Sequence, residues 1–200
     1  MNILITGTSG DIGLAIAEKF LKECHAVYGM DLLDSRIDNK KYRHIKTDIL
    51  NDDLPEIPDV DILINCAGVQ NSGDDIDINL KGTIRVTEQY GIREGISSIL
   101  FIASKGGVVA YMKNTATRVS AFGATANSLS PGGVIAQLNS HIIDSPDLWS
   151  QVLDETMLGK WATCEEIADW AYFITVTNRS MTAQDILVDN GEAAKTNFIW

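Results

Sequence analysis

A glycine-rich turn close to the first residue limits the possible folds of this chain more than any other stretch. Residues 6–13 read TGTSGDIG and follow the apolar run Ile3–Ile5. Apolar residues then repeat at helical spacing, at Ile12, Ile16, Phe20 and Cys24. The glycines therefore lie between a buried strand and an amphipathic helix. Glycine lets a backbone approach a ligand closely, and the first N–H groups of a helix can bind phosphate. The pattern favours a site for the diphosphate of a dinucleotide, with a tight turn that binds nothing as the alternative.

Composition narrows the class of protein. With 200 residues, 45% of them hydrophobic, we expect one domain over residues 1–200. A net charge of -11 argues against a nucleic-acid partner, because phosphate binding needs clustered Lys and Arg. We find no secretion signal and no apolar run that could span a bilayer, so we expect neither secretion nor membrane insertion. Three widely spaced cysteines favour free thiols over disulfides or a metal site, and predict a cytoplasmic protein.

An acidic residue follows the second predicted strand, residues 26–30. This residue, Asp31, stands about twenty residues beyond the glycines, where a dinucleotide-binding fold uses an acid to accept hydrogen bonds from the adenosine ribose. Its carboxylate would repel a 2′-phosphate, so NAD is favoured over NADP. An ordinary solvated acid is the alternative, and Asp34 could share the role.

Strands and helices alternate along the chain. Further strands are predicted at residues 43–46 and 60–65, with helical patterns between strands. This alternation predicts a doubly wound parallel sheet of about seven strands, with helices on both faces in a three-layer α/β/α arrangement. Ligands in such sheets bind at the carboxyl ends of the strands. The candidates at those ends are Gly7, Asp31, Asp48 and Asn65.

The order of these motifs resembles the short-chain dehydrogenase/reductase family. Besides the glycine turn, four stretches carry the resemblance: Asn65–Gly68 against the family's Asn-Asn-Ala-Gly, Asp77–Gly82, Asn127–Val134 in the segment after the sixth strand, and Gln184–Gly191 at the last strand. The resemblance covers nearly the whole chain. It implies hydride transfer between a nicotinamide cofactor and a small carbonyl or secondary alcohol.

The resemblance also implies a set of cofactor contacts. They are Gly7, Ser9, Gly10, Asp11, Ile12, Gly13, Asp31, Asp48, Ile49, Asn65, Ala67, Gly68, Lys105, Pro131, Gly132 and Val134. One departure is Asp11, which stands where the usual family pattern has a glycine. The spacing of Gly7, Gly10 and Gly13 instead resembles the extended and atypical branches, so an epimerase is an alternative function.

The implied catalytic residues are Asn79, Ser104 and Lys105. In the family, the lysine lowers the pKa of a catalytic tyrosine four residues before it, but Phe101 occupies that position here. Tyr111 falls inside the next helical segment and is interpreted as a packing residue. No residue matches the tyrosine, and the chain is shorter than the family by roughly fifteen residues between the fifth strand and its helix.

Three explanations of this short junction stay open. The natural protein has a mobile loop absent from this sequence, the loop has been deleted, or the chain is a relative that binds cofactor without turnover. The first is favoured because both flanks keep catalytic matches.

Residues 135–160 are expected to cover the substrate as a lid. Ser145-Pro146 predicts the cap and first residue of a lid helix, and Thr163 with Glu166 predicts a capping box for the following helix. Members of the family assemble through the last strand and the helices after the fourth and fifth strands. The resemblance therefore implies a homodimer or homotetramer, and the apolar tail Asn197–Trp200 would suit burial in such an interface.

Overall fold

Short apolar runs form the centre of a parallel sheet. The computed structural model describes residues 1–70, 72–103 and 106–195. Ile3, Leu4 and Ile5 are fully buried because helices cover both faces of their strand. The strands are β1 (Asn2–Thr6), β2 (Ala26–Asp31), β3 (Tyr42–Lys46), β4 (Ile62–Asn65), β5 (Ser98–Ile102), β6 (Thr125–Pro131), β7 (Val134–Ile135), β8 (Ala162–Thr163) and β9 (Asp185–Val188).

Seven of these strands form one parallel sheet in the order β3-β2-β1-β4-β5-β6-β9, which confirms the predicted doubly wound sheet. The short strands β7 and β8 pair with each other outside it. The helices are α1 (Asp11–Lys22), α2 (Thr83–Tyr90, preceded by a π-helical turn at Asp77–Gly82), α3 (Gly106–Val119), α4 (Ser140–Ile143), α5 (Pro146–Asp154) and α6 (Cys164–Tyr172, followed by a π-helical turn at Phe173–Thr177). Single 3₁₀ turns lie at Ser120–Phe122 and Gln137–Asn139.

The sheet separates two apolar clusters. Ile3 and Ile5 point to the face covered by α1 and α6, whereas Leu4 points to the face covered by α2 and α3. This alternation is the period-two pattern of a strand buried on both sides. It confirms the three-layer arrangement.

The strand order places a crevice at one point of the sheet. β1 has β2 on one side and β4 on the other, so the chain leaves the centre in opposite directions on either side of β1. Ligands of doubly wound sheets bind outside the carboxyl ends of the strands at such a point. The residues that follow β1, β2 and β4 therefore define where a site can form.

The prediction that Asn127–Val134 follows the sixth strand is wrong for residues 127–131 and correct for residues 132–134. The stretch was expected after the sixth strand, but residues 127–131 belong to β6 itself. Its polar residues are buried within the sheet because their side chains find partners there: Asn127 donates to the carbonyl of Met181, and Ser128 and Ser130 both donate to the carboxylate of Asp185.

The helix-start predictions are confirmed. Ser145 is the N-cap residue of α5 and Pro146 is its first residue. At α6 the Thr163 side chain accepts from the Glu166 N–H, while the Glu166 side chain accepts from the Thr163 N–H. Within the described part of the chain, no helix is both long and apolar enough to cross a bilayer.

Candidate dinucleotide-binding site

The turn after β1, residues 6–13, is called the β1 turn. Gly7 adopts a φ of +77°, and a Cβ atom there would be 2.8 Å from the backbone N and Cα of Ala67. The hydroxyl of Thr6 accepts the N–H groups of Cys66 and Ala67 at 3.1 and 3.0 Å. The ends of β1 and β4 are therefore joined, and only glycine fits at position 7.

The start of α1 is equally close to this turn. A Cβ atom on Gly13 would be 2.0 Å from the carbonyl oxygen of Gly7, whereas one on Gly10 would be 3.4 Å from the same atom. Gly10 is the exposed N-cap residue of α1. The first N–H groups of a helix have no partners within the helix, so those of Asp11 and Ile12 are available to an anion.

Asp31 lies beside the β1 turn at the end of β2. Its carboxylate accepts the N–H of Ser9 at 2.9 Å and the N–H of Leu33 at 2.9 Å. The alternative candidate, Asp34, has a side chain that is 87% exposed and paired with Lys46 at 2.7 Å. The structure thus brings Asp31 to the turn and leaves the Asp34 carboxylate in solvent.

Asp11, the departure from the family's glycine, makes two contacts with distant segments. One carboxylate oxygen accepts the Arg36 guanidinium at 2.8 Å, and the other accepts the backbone N–H of Gln137 at 2.6 Å. These hydrogen bonds, that of Arg36 being the larger effect, lower the pKa of Asp11 below its usual value. The carboxylate is therefore charged at neutral pH.

The residues after β3 are held by local bonds. The Asp48 carboxylate accepts the N–H of Leu50 at 2.8 Å and that of Asn51 at 3.3 Å. Ile49 is buried, and a Cβ atom on Gly82 would be only 2.9 Å from its terminal methyl. This turn is thereby fixed against the helix that follows β4.

The predicted Asn-Cys-Ala-Gly stretch ends β4. Asn65 is buried and donates its side-chain N–H to the Thr87 hydroxyl at 3.1 Å, while its buried Oδ1 has no hydrogen-bond partner among the described residues. Cys66 is half-buried as a residue, but burial of its thiol raises the pKa to about 12. The stretch therefore contains a neutral thiol and an unsatisfied acceptor.

Asn79 lies in the π-helical turn before α2. Its side chain makes two hydrogen bonds with Val69, accepting the N–H at 2.7 Å and donating to the carbonyl at 2.8 Å. The side chain therefore closes the loop over Gly68.

The predicted catalytic residues Ser104 and Lys105 lie outside the described residues. They fall between Ala103, which donates its N–H to the Leu129 carbonyl at 2.9 Å, and Gly106, where α3 begins. Tyr111 is inside α3, packs edge-on against Phe101 and donates to Glu88 at 2.9 Å. Tyr111 therefore packs against β5 and hydrogen-bonds to α2, as a packing residue would.

The turn after β6, residues 131–134, is called the β6 turn. Gly132 donates its N–H to the Val188 carbonyl at 3.0 Å, which joins the turn to β9. A Cβ atom on Gly133 would lie 2.2 Å from the indole ring of Trp161, and Val134 is buried. Pro131, Gly132 and Val134 thus form a wall on the same edge of the sheet as the β1 turn.

The predicted lid segment begins next to this wall. Its helices α4 and α5 contain no fully buried residue. Trp149 of α5 packs edge-on against Trp161, with the ring centres 5.2 Å apart. This aromatic pair joins the segment to the β6 turn.

Three side chains packed together beside the β1 turn were not predicted from the sequence. The Tyr42 hydroxyl lies 2.9 Å from the Thr8 hydroxyl and 3.0 Å from Nδ1 of His44, and Nε2 of His44 lies 2.9 Å from the Leu33 carbonyl. A Cβ atom on Gly29 would be 2.1 Å from the Tyr42 hydroxyl. A glycine in the middle of the second strand was the available signal, because such a glycine often marks a close approach.

These features fit a dinucleotide. The β1 turn has no room for side chains at Gly7 or Gly13, and the N-terminus of α1 offers N–H groups. Asp31 adds a carboxylate at the expected distance in sequence, and the unsatisfied Oδ1 of Asn65 lies at the end of the neighbouring β4. In the described residues, no group of three or more His, Cys, Asp or Glu side chains could hold a metal ion.

Two family models match the chain, each over more than half of its length. A model described as an NAD dependent epimerase/dehydratase family matches residues 3–130, and one described as enoyl-(acyl carrier protein) reductase matches residues 86–192. The first includes the β1 turn and Asp31, and the second includes the β6 turn.

Individual relatives match nearly the whole chain. A 3-oxoacyl-[acyl-carrier-protein] reductase of Staphylococcus epidermidis is 24% identical over 238 positions, covering 94% of this chain and 97% of the relative. A cyclopentanol dehydrogenase of a Comamonas strain is 23% identical and covers 96% of each chain. The ligand-free aldohexose dehydrogenase of Thermoplasma acidophilum superposes with a TM-score of 0.83 at 21% identity, covering all of this chain and 96% of that one. The 238 aligned positions exceed the 200 residues of this chain, so the reductase contains segments that this chain lacks.

Proposed function

This chain belongs to the short-chain dehydrogenase/reductase family of NAD(P)-dependent oxidoreductases, and from that premise we propose that it uses NAD(H) to interconvert a carbonyl and a secondary alcohol. One observation carries the proposal: Asp31 binds the Ser9 N–H of a turn in which Gly7 leaves no space for a side chain. That combination suits a diphosphate beside a ribose with free hydroxyls.

The bound nicotinamide would supply or accept the hydride. The residues of the chain would bind and orient it. The β1 turn would hold the diphosphate, and Asp31 would hold the adenosine ribose. Two residues, Asp48 and Ile49, would contact the adenine side, and three, Asn65, Ala67 and Gly68, would line the middle of the crevice. The carboxamide would bind to Pro131, Gly132 and Val134.

Proton transfer is proposed for the junction between β5 and α3. By the family resemblance, Ser104 would hydrogen-bond the substrate oxygen, Lys105 would hold the nicotinamide ribose, and the backbone carbonyl of Asn79 would hold a relay water. A tyrosine that acts as a base needs a lowered pKa. Burial instead raises the pKa of Tyr90 and Tyr111 to about 12, so neither is suited to this role.

Cofactor choice is tested by binding. We expect fluorescence titration to give a lower Kd for NADH than for NADPH, because the Asp31 carboxylate repels a 2′-phosphate. Asp31→Ala should weaken NADH binding by about tenfold or more and remove the preference, since hydrogen bonds to a charged group contribute about 1.5–3 kcal/mol. Asp34→Ala is the matched control and should leave both affinities unchanged. Equal loss in the two variants would contradict the assignment of Asp31.

Turnover is tested separately. Absorbance at 340 nm should fall when NADH is mixed with the protein and a suitable carbonyl compound, and the relatives suggest 3-oxoacyl thioesters, cyclopentanone and sugar lactones as first compounds. Ser104→Ala should slow the reaction without changing the Kd for NADH. Binding without oxidation of NADH across the panel would contradict catalysis and support a cofactor-binding protein instead. An epimerase is less favoured because the C-terminal half matches the reductase model.

We also propose that the protein is a cytoplasmic homodimer or homotetramer. An apolar groove of about 840 Å³ runs beside the edge strand β9 and includes the exposed side chains of Trp170, Phe173 and Leu187. Burial of such a surface against a second copy is a common reason for its composition. Light scattering after size-exclusion chromatography tests this, and a monomer at micromolar concentration would contradict it.

A further inference from the structure

Asp11, which stands where the family pattern has a glycine, lies at the point where the proposed cofactor is most highly charged. Asp11 is the first residue of α1, and the N-terminus of that helix is the proposed diphosphate site. An acid in the first turn of a helix is favourable in general, because the helix dipole is positive there. A simple helix-start residue would therefore be the ordinary explanation of Asp11.

The contacts of Asp11 go beyond that explanation. Its two oxygens accept hydrogen bonds from outside α1: from Arg36 in the connection between β2 and β3, and from Gln137 at the beginning of the proposed lid segment. Arg36 also donates to the carbonyl of Ser9 at 3.1 Å. One carboxylate thus joins the β1 turn to two other borders of the crevice.

The donors that hold Asp11 are of the kind that bind phosphate. A guanidinium group and a backbone N–H near a helix N-terminus are standard partners of phosphate oxygens. The side chains of Asp11 and Arg36 are 24% and 48% exposed, so a ligand can reach both. The carboxylate therefore occupies two donors that a nearby diphosphate could use, and it adds a like charge to that place.

We propose that Asp11 competes with the diphosphate of the cofactor for Arg36 and for the N–H of Gln137, and thereby lowers the affinity of the chain for dinucleotides. This inference rests on the proposed function, because it assumes a dinucleotide at the β1 turn. When the dinucleotide binds, Arg36 and Gln137 exchange Asp11 for phosphate oxygens. The same exchange releases the lid segment from α1, so Asp11 is a positioning residue that links cofactor binding to the lid.

The direction in which two substitutions change the Kd for NADH distinguishes competition from a merely structural contact. If the contact only stabilises the turn, loss of either partner should weaken NADH binding. Under competition, Asp11→Asn should lower the Kd for NADH by about three- to tenfold, because it removes a like charge near the diphosphate, whereas Arg36→Gln should raise it by a similar factor. Asp34→Asn removes the same formal charge from an exposed position and should leave the Kd within about twofold.

A measurement without cofactor tests the contact itself. In the free protein, hydrogen exchange at Gln137 should be faster in Asp11→Ala than in the wild type, because the N–H loses its acceptor. Unchanged exchange would overturn the inference. So would an unchanged or raised Kd for NADH in Asp11→Asn. Failure of both the wild type and Asp11→Asn to bind NADH would overturn the proposed function, which is a different result from binding that Asp11→Asn does not strengthen.

Discussion

The β1 turn and the β6 turn lie at the same edge of the sheet and both require glycine, but for different reasons. In the β1 turn, a side chain at Gly13 would meet the carbonyl of Gly7 at 2.0 Å, and one at Gly7 would meet the backbone of Ala67 at 2.8 Å. In the β6 turn, a side chain at Gly133 would meet the ring of Trp161 at 2.2 Å. Backbone cannot move without disturbing the sheet, whereas a side chain can change its rotamer.

The two turns also lead to different kinds of structure. The β1 turn continues into α1, where Ile16 and Phe20 are fully buried. The β6 turn leads to the proposed lid segment, whose helices have no fully buried residue. We call the β1 turn the rigid wall of this edge and the β6 turn its adjustable wall. A rigid wall suits an invariant cofactor, whereas an adjustable wall suits a substrate that enters and leaves.

The largest difference should appear when a methyl group is added to the rigid wall. Gly13→Ala should destabilise the fold by about 3 kcal/mol or more, because the backbone of Gly7 must move. Thermal unfolding should then occur roughly 6–12 °C lower. Gly10→Ala is the matched control in the same turn, since its Cβ would have an ordinary contact at 3.4 Å, and it should cost less than about 1 kcal/mol. Similar melting temperatures for the two variants would remove the contrast between backbone and side-chain obstacles.

The same change in the adjustable wall should have a smaller effect. Gly133→Ala should cost about 1–3 kcal/mol and alter near-ultraviolet circular dichroism, because the Trp161 ring must turn away. Trp161→Leu removes the obstacle, so the double variant should lose less stability than the sum of the single variants. If urea unfolding shows that the stability losses of the two single variants add up in the double variant, Trp161 does not determine the need for glycine at position 133.

A still smaller and more local effect is expected in the lid segment. Trp149→Leu removes the edge-on contact with Trp161, worth about 0.5–1.5 kcal/mol beyond buried area. Proteolysis within residues 137–160 should become faster while the urea midpoint of the whole protein changes little. Leu148→Ala changes an exposed neighbour and should leave the proteolysis rate as in the wild type. Global destabilisation in Trp149→Leu would show that the segment belongs to the rigid part.

Local patterns were enough to predict the rigid wall. The glycine spacing, the apolar run of β1 and the position of Asp31 are each contained within a few residues, and the structure confirms the strand, the helix and the meeting of Asp31 with the turn. The capping box at Thr163 and Glu166 was predictable for the same reason. Such signals depend on backbone geometry that nearby residues determine.

Contacts between distant segments were not predictable. Gln137 is 126 residues from Asp11, and nothing in either local sequence indicates the hydrogen bond between them. The polar residues of β6 were misplaced because Ser128 and Ser130 are typical of loops, and their burial is explained by distant partners, Asp185 on β9 for both and the Ala103 carbonyl for Ser130. Trp161 and the small pair β7–β8 likewise depend on tertiary packing.

The smallest predicted effect is a difference in how fast two thiols are labelled, one behind each wall. Cys66 adjoins the β1 turn, and Cys164 donates to the Ile135 carbonyl just beyond the β6 turn. Burial raises their pKa values to about 12 and about 11, above the ordinary value of 9.0, so at pH 8 only about one in ten thousand and one in a thousand are thiolate.

With iodoacetamide and mass spectrometry, exposed Cys24 should be labelled first, Cys164 more slowly and Cys66 last, and Cys24→Ser should leave the order of the other two unchanged. The order should follow both the thiolate fraction and the mobility of each wall. Labelling of Cys66 before Cys164 would mean that the wall formed by the β1 turn opens more readily, and the contrast between the two turns would be reversed.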